Sequence, residues 1–199
     1  MIEQLVLIRH GETVHNAAGI AQGWNDSALS ERGEAQVRAL AKRLRALNAD
    51  ALYSSPLGRA MSTARIIAGE VGMEIRTLDG LREMNYGEWE GKSYLELRRH
   101  EIYERWVADP DCACPGGESH TDLHRRIEST LSLIDAKRPL VVAHGTAIRV
   151  GATVLMELPV MASRHFAQDN AALNIFERRG ARMVLKLWND TTHVINDER

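Results

Sequence analysis

A histidine at the end of an apolar run, with a cation before it and a glycine after it, is where this sequence first offers chemistry. Leu5-Val6-Leu7-Ile8 leads straight into Arg9-His10-Gly11-Glu12-Thr13. An imidazole so placed can act as a nucleophile or move a proton. The arginine beside it supplies a permanent charge and forked donors for an anion. The glycine lets the backbone approach a ligand closely. The arrangement returns once, where Leu140-Val141-Val142-Ala143 ends in His144-Gly145. Arg59 falls just after Ser55-Pro56, in the expected first turn of a helix, where the dipole also favours an anion.

The elements between these residues alternate. Leu5–Ile8 and Leu140–Ala143 are short continuous apolar runs, the pattern of strands buried on both faces. Ala51-Leu52-Tyr53 reads as another strand. Ser30 caps a helix whose apolar side is Val37, Leu40, Ala41, Leu44 and Leu47. Ser55 with Pro56 is a helix-start signal, and Ala60, Ala64, Ile67 and Val71 point inward before Gly72. Ser119 and Asp122 form a capping box ahead of Leu123, Ile127, Leu131 and Ile134. A helix follows from about Thr146 to Met156, then strands over 172–176 and 183–188 with Gly180 between them. The alternation predicts an α/β fold: a three-layer sandwich, mainly parallel, with helices on both faces and a last antiparallel hairpin at the edge. Ligands in such sheets bind outside the carboxyl ends of the strands, so both His-Gly pairs belong on one functional edge. Residues 73–117 are less regular, hold most of the aromatic side chains, and are expected to cap that edge within a single domain spanning residues 1–199.

Bulk properties exclude several classes. The chain has 199 residues, 44% of them hydrophobic, and a formal net charge of -2. No basic run marks a nucleic-acid surface, and no apolar run reaches membrane-spanning length. Cys112 and Cys114, one residue apart, are awkward to bridge and too few for a structural zinc site. They read as reduced thiols of a cytoplasmic protein, in keeping with an N-terminus that lacks a basic, apolar leader.

Leu7-Ile8-Arg9-His10-Gly11-Glu12-Thr13 resembles the signature of the histidine phosphatase superfamily, the phosphoglycerate mutase-like family. The likeness extends over nearly the whole chain. Gly23, Asp26, Leu29, Ser30 and Gly33 match its next segment, and the stretch from Ser55 to Ala64, with Arg59 and Thr63, matches the one after that. Glu83-Met84-Asn85-Tyr86-Gly87-Glu88-Trp89-Glu90-Gly91, Pro115-Gly116-Gly117-Glu118-Ser119 and Val142-Ala143-His144-Gly145 follow in order. Any one of these is weak; together and in order they are specific.

The resemblance implies a metal-independent phosphatase that passes through a phosphohistidine. A transferring phosphoryl group spreads charge over its equatorial oxygens, so catalysis is mainly positioning and electrostatics. His10 would attack phosphorus, neutral because Arg9 and Arg59 disfavour the imidazolium. Asn16 and His144 would complete the anion pocket, with Gln22, Gly145 and Tyr86 at phosphate- or substrate-binding positions. Glu83 would protonate the leaving alkoxide and then take a proton from water. No cofactor and no metal are called for, and the partner is a small phosphorylated metabolite rather than nucleic acid or membrane, with the chain a monomer or a homodimer. Cofactor-dependent phosphoglycerate mutases are similar at the same positions but carry a longer insertion after the Tyr-Gly, with tandem arginines. Here Trp89-Glu90-Gly91 leads to Gly116 without that pattern, which favours hydrolysis. A non-catalytic phosphate-binding module stands as the other alternative, with nucleophile, arginines and acid all present against it.

The remaining candidates carry blander expectations. His120 and His124, four apart, have metal-ligand spacing but no third ligand, and are expected on the surface. Arg98-Arg99 could hold a substrate carboxylate or form a solvated helix face. Trp24, Tyr86, Trp89, Tyr94 and Trp106 divide between core and pocket wall, with core packing the commoner fate. Asn170 is a family-like feature without an assigned role.

Overall fold

The computed structural model describes residues 1–194. In chain order the elements are β1 (Gln4–Arg9), α1 (Val14–Ala17), α2 (Glu31–Leu44), β2 (Ala51–Ser54), α3 (Gly58–Val71), β3 (Ile75–Thr77), α4 (Tyr94–Leu97), α5 (Tyr103–Ala108), α6 (His120–Ser132), β4 (Pro139–Ala143), α7 (Gly145–Leu155), β5 (Leu173–Arg179) and β6 (Arg182–Asp190). Among the described residues, six strands form one sheet in the order β3-β2-β4-β1-β5-β6. The first four run parallel, and β5 and β6 add antiparallel to β1 and to each other. This is the expected α/β sandwich with its antiparallel edge.

Strand alternation sends successive side chains to opposite faces. Val6, Ile8, Leu52, Leu140 and Val142 face α2 and α3, packing on Val37, Leu40, Ala60 and Ala64. Leu5, Leu7, Tyr53, Val141 and Ala143 face the other way, against Ile148 and Ala152 of α7. Both faces of β1 and β4 are therefore buried, which is why those strands read as unbroken apolar runs rather than alternating ones. At roughly 1.5–3 kcal/mol for each large aliphatic side chain removed from water, these two layers supply most of the force that holds the sheet edge in place.

The caps form largely where the sequence places them. Ser30 Oγ accepts from Gly33 N at 3.0 Å. Ser119 and Asp122 make their reciprocal box. The Ser-Pro signal is the exception. Helix α3 begins at Gly58 with Leu57 as its cap, two residues later than expected. Asp26 replaces the missing cap from another loop: its Oδ1 accepts from Arg59 N at 3.2 Å. Ser55 is left fully buried, its Oγ accepting from Leu57 N at 3.3 Å and otherwise available for a different task. The irregular stretch also starts later than residue 73, because Ile75–Thr77 pairs in register with β2 as an edge strand. The terminal hairpin is longer than expected, since Glu177, Arg178 and Arg179 continue the ladder as polar positions, the first two half-exposed and the last exposed.

Candidate active site

β1 and β4 are parallel neighbours with Arg9 opposite Ala143, so the residues one step beyond, His10 and His144, emerge side by side. Their ring centroids lie 5.2 Å apart at 60°. His10 Nδ1 is 2.7 Å from the carbonyl oxygen of Gly11. A carbonyl can only accept, so Nδ1 carries the hydrogen and Nε2 keeps its lone pair. Burial first, then the Arg9 and Arg59 charges, hold the His10 pKa well below the usual histidine value. The ring is thus a neutral, oriented nucleophile. His144 is also buried, and burial followed by the Arg59 charge keeps it neutral. Its Nε2 shares a hydrogen bond of 2.8 Å with Ser55 Oγ. That is the task for which Ser55 was left free.

Arg59, 2% exposed, is fixed by three acceptors: Gly23 O at 2.7 Å, Asn25 O at 2.8 Å and Asp26 Oδ1 at 3.2 Å. Arg9 donates to the carbonyl of Gln168, and its guanidinium lies on Gly145, where an added Cβ would sit 3.5 Å from Cζ. Asn16 Oδ1 accepts from Thr13 N at 3.2 Å, Thr13 Oγ1 at 3.1 Å and Asn170 Nδ2 at 3.1 Å. With the oxygen consumed, the Asn16 amide turns its NH2 to the site. Gln22 does the same, its Oε1 accepting from Ser27 Oγ at 3.1 Å. His10, Asn16, Gln22, Arg59, Glu83 and Tyr86 all border one small depression beside the nucleophile. The donors there come from separate loops but converge on a volume suited to a tetrahedral anion.

Glu83 stands at the N-terminus of α7. Its Oε1 accepts from Met84 N at 2.9 Å and Ala147 N at 3.0 Å, and its Oε2 accepts from Thr146 N at 3.0 Å. Oε2 retains one open position, enough for a proton or a departing oxygen. Tyr86, beside it, hydrogen-bonds Thr146 Oγ1 at 2.9 Å. The loop that carries Glu83 is held from behind. Arg126 donates to the carbonyls of Gly80, Arg82 and Glu83 and pairs with Glu118 at 2.6 Å. Glu118 also accepts from Asn85 N at 2.8 Å. Gly117 runs so near the loop that an added Cβ would meet Asn85 O at 2.3 Å, so glycine is required there.

Above this floor opens a chamber of about 350 Å³, reached past Arg9 and Glu83. Tyr94, Tyr103 and Trp106 form its aromatic walls, and His120, Arg149 and Gln168 its polar ones. Several residues take places the sequence did not suggest. His120 is 3% exposed rather than on the surface, because the α5 segment folds back over it and Trp106 packs on its ring at 4.9 Å. Burial pushes its pKa down to about 4. Besides Arg9 at the floor, the arginines lining the chamber are Arg149 and Arg164, whereas Arg98 and Arg99 lie outside it. Arg149 had a readable signal: it is one helical turn beyond Gly145 and so shares its face. Arg126 and Gln168 had none, Asn170 was marked only as a family-like feature, and Ser55 only as a helix cap and part of a family-like segment. Trp89 is core, fully buried as expected. Trp24 is 40% exposed and donates its indole N–H to Glu83 O at 2.9 Å. Cys112 and Cys114 are free thiols. Among the described residues no group of three metal-ligating side chains assembles, and no helix is long and apolar enough to cross a membrane.

The sequence matches the family model of the histidine phosphatase superfamily (branch 1) over residues 5–191. A protein named as a probable phosphoglycerate mutase, GpmB of Yersinia pestis, is 35% identical across 96% of this chain and 94% of its own length. Among solved structures, phosphoserine phosphatase from Entamoeba histolytica in complex with 3-phosphoglyceric acid superposes with a TM-score of 0.87 at 32% identity, covering 96% of this chain and 99% of that one. A mycobacterial glucosyl-3-phosphoglycerate phosphatase complexed with VO3 gives 0.86 at 30% identity, covering 94% and 98%. A putative alpha-ribazole-5'-P phosphatase from Escherichia coli K-12 gives 0.87 at 27% identity, covering 96% and 98%.

Proposed function

The chain belongs to branch 1 of the histidine phosphatase superfamily, and from that premise we propose that it hydrolyses a small phosphomonoester, without a metal, through a phosphohistidine on His10. The observation that carries this reading is the state of His10 itself. Its Nδ1 is committed to the Gly11 carbonyl, its Nε2 is a bare lone pair, and two arginines flank it.

In this reading Arg9, Arg59, Asn16, Gln22 and His144 hold the three non-bridging phosphate oxygens. Nε2 attacks phosphorus in line, forming the N–P bond as the ester P–O bond breaks. Glu83 gives its proton to the departing alkoxide. Glu83, now ionised, removes a proton from a water that attacks phosphorus. The N–P bond breaks, and inorganic phosphate and neutral His10 are restored. Tyr86, through Thr146, keeps the Glu83 cradle in place.

A phosphoglycerate mutase is the second reading, favoured by the name given to the Yersinia relative. The two share the phosphohistidine and differ in whether water or a second hydroxyl accepts it. One experiment separates them. A panel of phosphomonoesters is incubated with the protein in excess chelator, and free phosphate is measured. In parallel, interconversion of 2- and 3-phosphoglycerate is followed with a bisphosphoglycerate primer. Hydrolysis predicts chelator-resistant phosphate release and negligible interconversion. Interconversion that outpaces release would establish the mutase instead.

A further inference from the structure

The floor of the site accounts for a phosphate, but not for the polar atoms left over in the chamber above it. Gln168 is 9% exposed, yet neither atom of its amide has a partner. His120 is 3% exposed with Nδ1 unpartnered, and the Trp106 indole N–H is also unmatched. All three side chains line the chamber. Buried polar groups are normally satisfied, so a set of orphans around one cavity points to a polar occupant. The sign of that occupant follows from the charges. Arg149 spends Nε on Gly145 O at 3.3 Å and Nη2 on Thr146 Oγ1 at 3.1 Å. Its remaining nitrogen, Nη1, makes no hydrogen bond, and among the described residues no carboxylate pairs with Arg149. Arg164 adds a second cation at the rim. Glu83, at the far end beside the nucleophile, is the one acid along the wall among the described residues. His120, kept neutral by burial, can both donate and accept without adding charge.

We propose that Arg149, with His120 and Gln168, forms a second subsite that reads the alcohol half of the substrate, and that this half carries its own anionic group, a carboxylate or a second phosphate. The inference rests on the phosphatase reading for its orientation, since the ester phosphorus must lie at His10 for the alcohol to enter the chamber. It goes further in assigning selectivity to Arg149, one turn into α7. The floor then fixes the phosphate whatever the ester, and the chamber selects which ester.

The test uses three ligands on one three-carbon skeleton: 3-phosphoglycerate, glycerol 3-phosphate and glycerol 1,3-bisphosphate. The far end is a carboxylate, a neutral hydroxymethyl and a phosphate respectively. Binding is measured by calorimetry on His10→Ala protein, so that turnover does not intervene, and repeated with Arg149→Gln added. At least one anionic ligand should bind about tenfold or more tighter than glycerol 3-phosphate, the size of one charge-assisted contact, and Arg149→Gln should remove most of that ratio. The ratio cancels any general loss of affinity. Whichever anion is preferred identifies the second group. Arg164→Ala, at an exposed position that carries no core packing, should reduce the ratio only about threefold, as a partly screened rim charge. Equal binding of all three ligands, or a preference that survives Arg149→Gln, would overturn the subsite while leaving phosphate release by the wild type untouched. Failure of all three and of inorganic phosphate to bind would remove the phosphate floor, and the inference with it.

Discussion

At the phosphate floor, side chains that face His10 are immobilised from behind. Three acceptors hold Arg59, three donors consume the oxygen of Asn16, and Gly11 fixes the tautomer of His10. The chamber differs: both polar atoms of the Gln168 amide lack partners, as do His120 Nδ1 and the Trp106 indole N–H, whereas the unpartnered floor atoms, Arg9 Nε, Arg59 Nε and His144 Nδ1, belong to groups anchored through their other nitrogens. An unmatched buried group costs about 1–3 kcal/mol. The floor carries part of that cost at Arg9, Arg59 and His144 but holds those groups rigid through their other nitrogens, suited to a charge distribution that is the same in every phosphomonoester. The chamber accepts the cost and gains the capacity to bind what enters. Catalysis and selectivity are thereby separated in space, and substitutions in the two regions should have different signatures.

Arg59→Ala should show the largest effect, lowering kcat/KM about 10³-fold, as expected for losing a transition-state charge partner. The loss should be uniform across esters, because the phosphate is common to all. A loss confined to some esters would mean that the floor also reads the alcohol. Glu83→Gln comes next. The single-turnover rate of His10 phosphorylation by alkyl phosphates should fall about 10²-fold or more, with a much smaller fall for p-nitrophenyl phosphate, whose leaving group needs no proton, while the water step that follows slows alike for both. Equal losses on both would deny Glu83 its role as the acid.

Asn170→Ala should cost about tenfold in kcat/KM, the worth of one hydrogen bond, because Asn170 supports Asn16 and the His10 carbonyl without reaching the substrate. Acid stability sharpens the contrast in another way. His10, His144 and His120 are all held neutral in the fold, with pKa values below the usual histidine value of 6.5. Below pH 6.5 the unfolded chain takes up protons that the folded one refuses, so stability falls as pH falls, by up to about 1.4 kcal/mol per pH unit for each such histidine. For His120 the fall should continue until about pH 4. Denaturant titrations should therefore show His120→Gln with a shallower loss over that window; an unchanged slope would place His120 outside the protected set. The smallest effect belongs to the chamber wall. Trp106→Phe should keep the packing on His120 and shift relative KM values among esters by about threefold, with kcat nearly constant.

The same division governs what the sequence could reveal. His10, Arg9, His144 and Gly145 were legible because buried strands announce themselves as apolar runs, and topology requires their ends to meet. Arg59, Glu83, Asn16, Gln22 and Tyr86 came from the family likeness, and all border the depression at His10. The chamber was opaque. Apart from Arg149 on α7 and His120 at the start of α6, its lining comes from loops and short helices without periodicity, and its residues look ordinary: His120 paired with His124 reads as a solvated face until α5 is seen to cover it. Ser55 misled for a physical reason. Its Ser-Pro pair resembles a cap, but the hydroxyl serves His144 while Asp26 supplies the capping oxygen from a distant loop.

The most direct measurement is rapid quenching of the protein with ester labelled in its phosphoryl group, followed by mapping of any label retained on the chain. The account predicts a transient, acid-labile and alkali-stable phosphoryl group on His10 that appears before free phosphate, and its absence, with loss of turnover, in His10→Ala. Phosphate release that proceeds without label on His10, or that survives in His10→Ala, would contradict it.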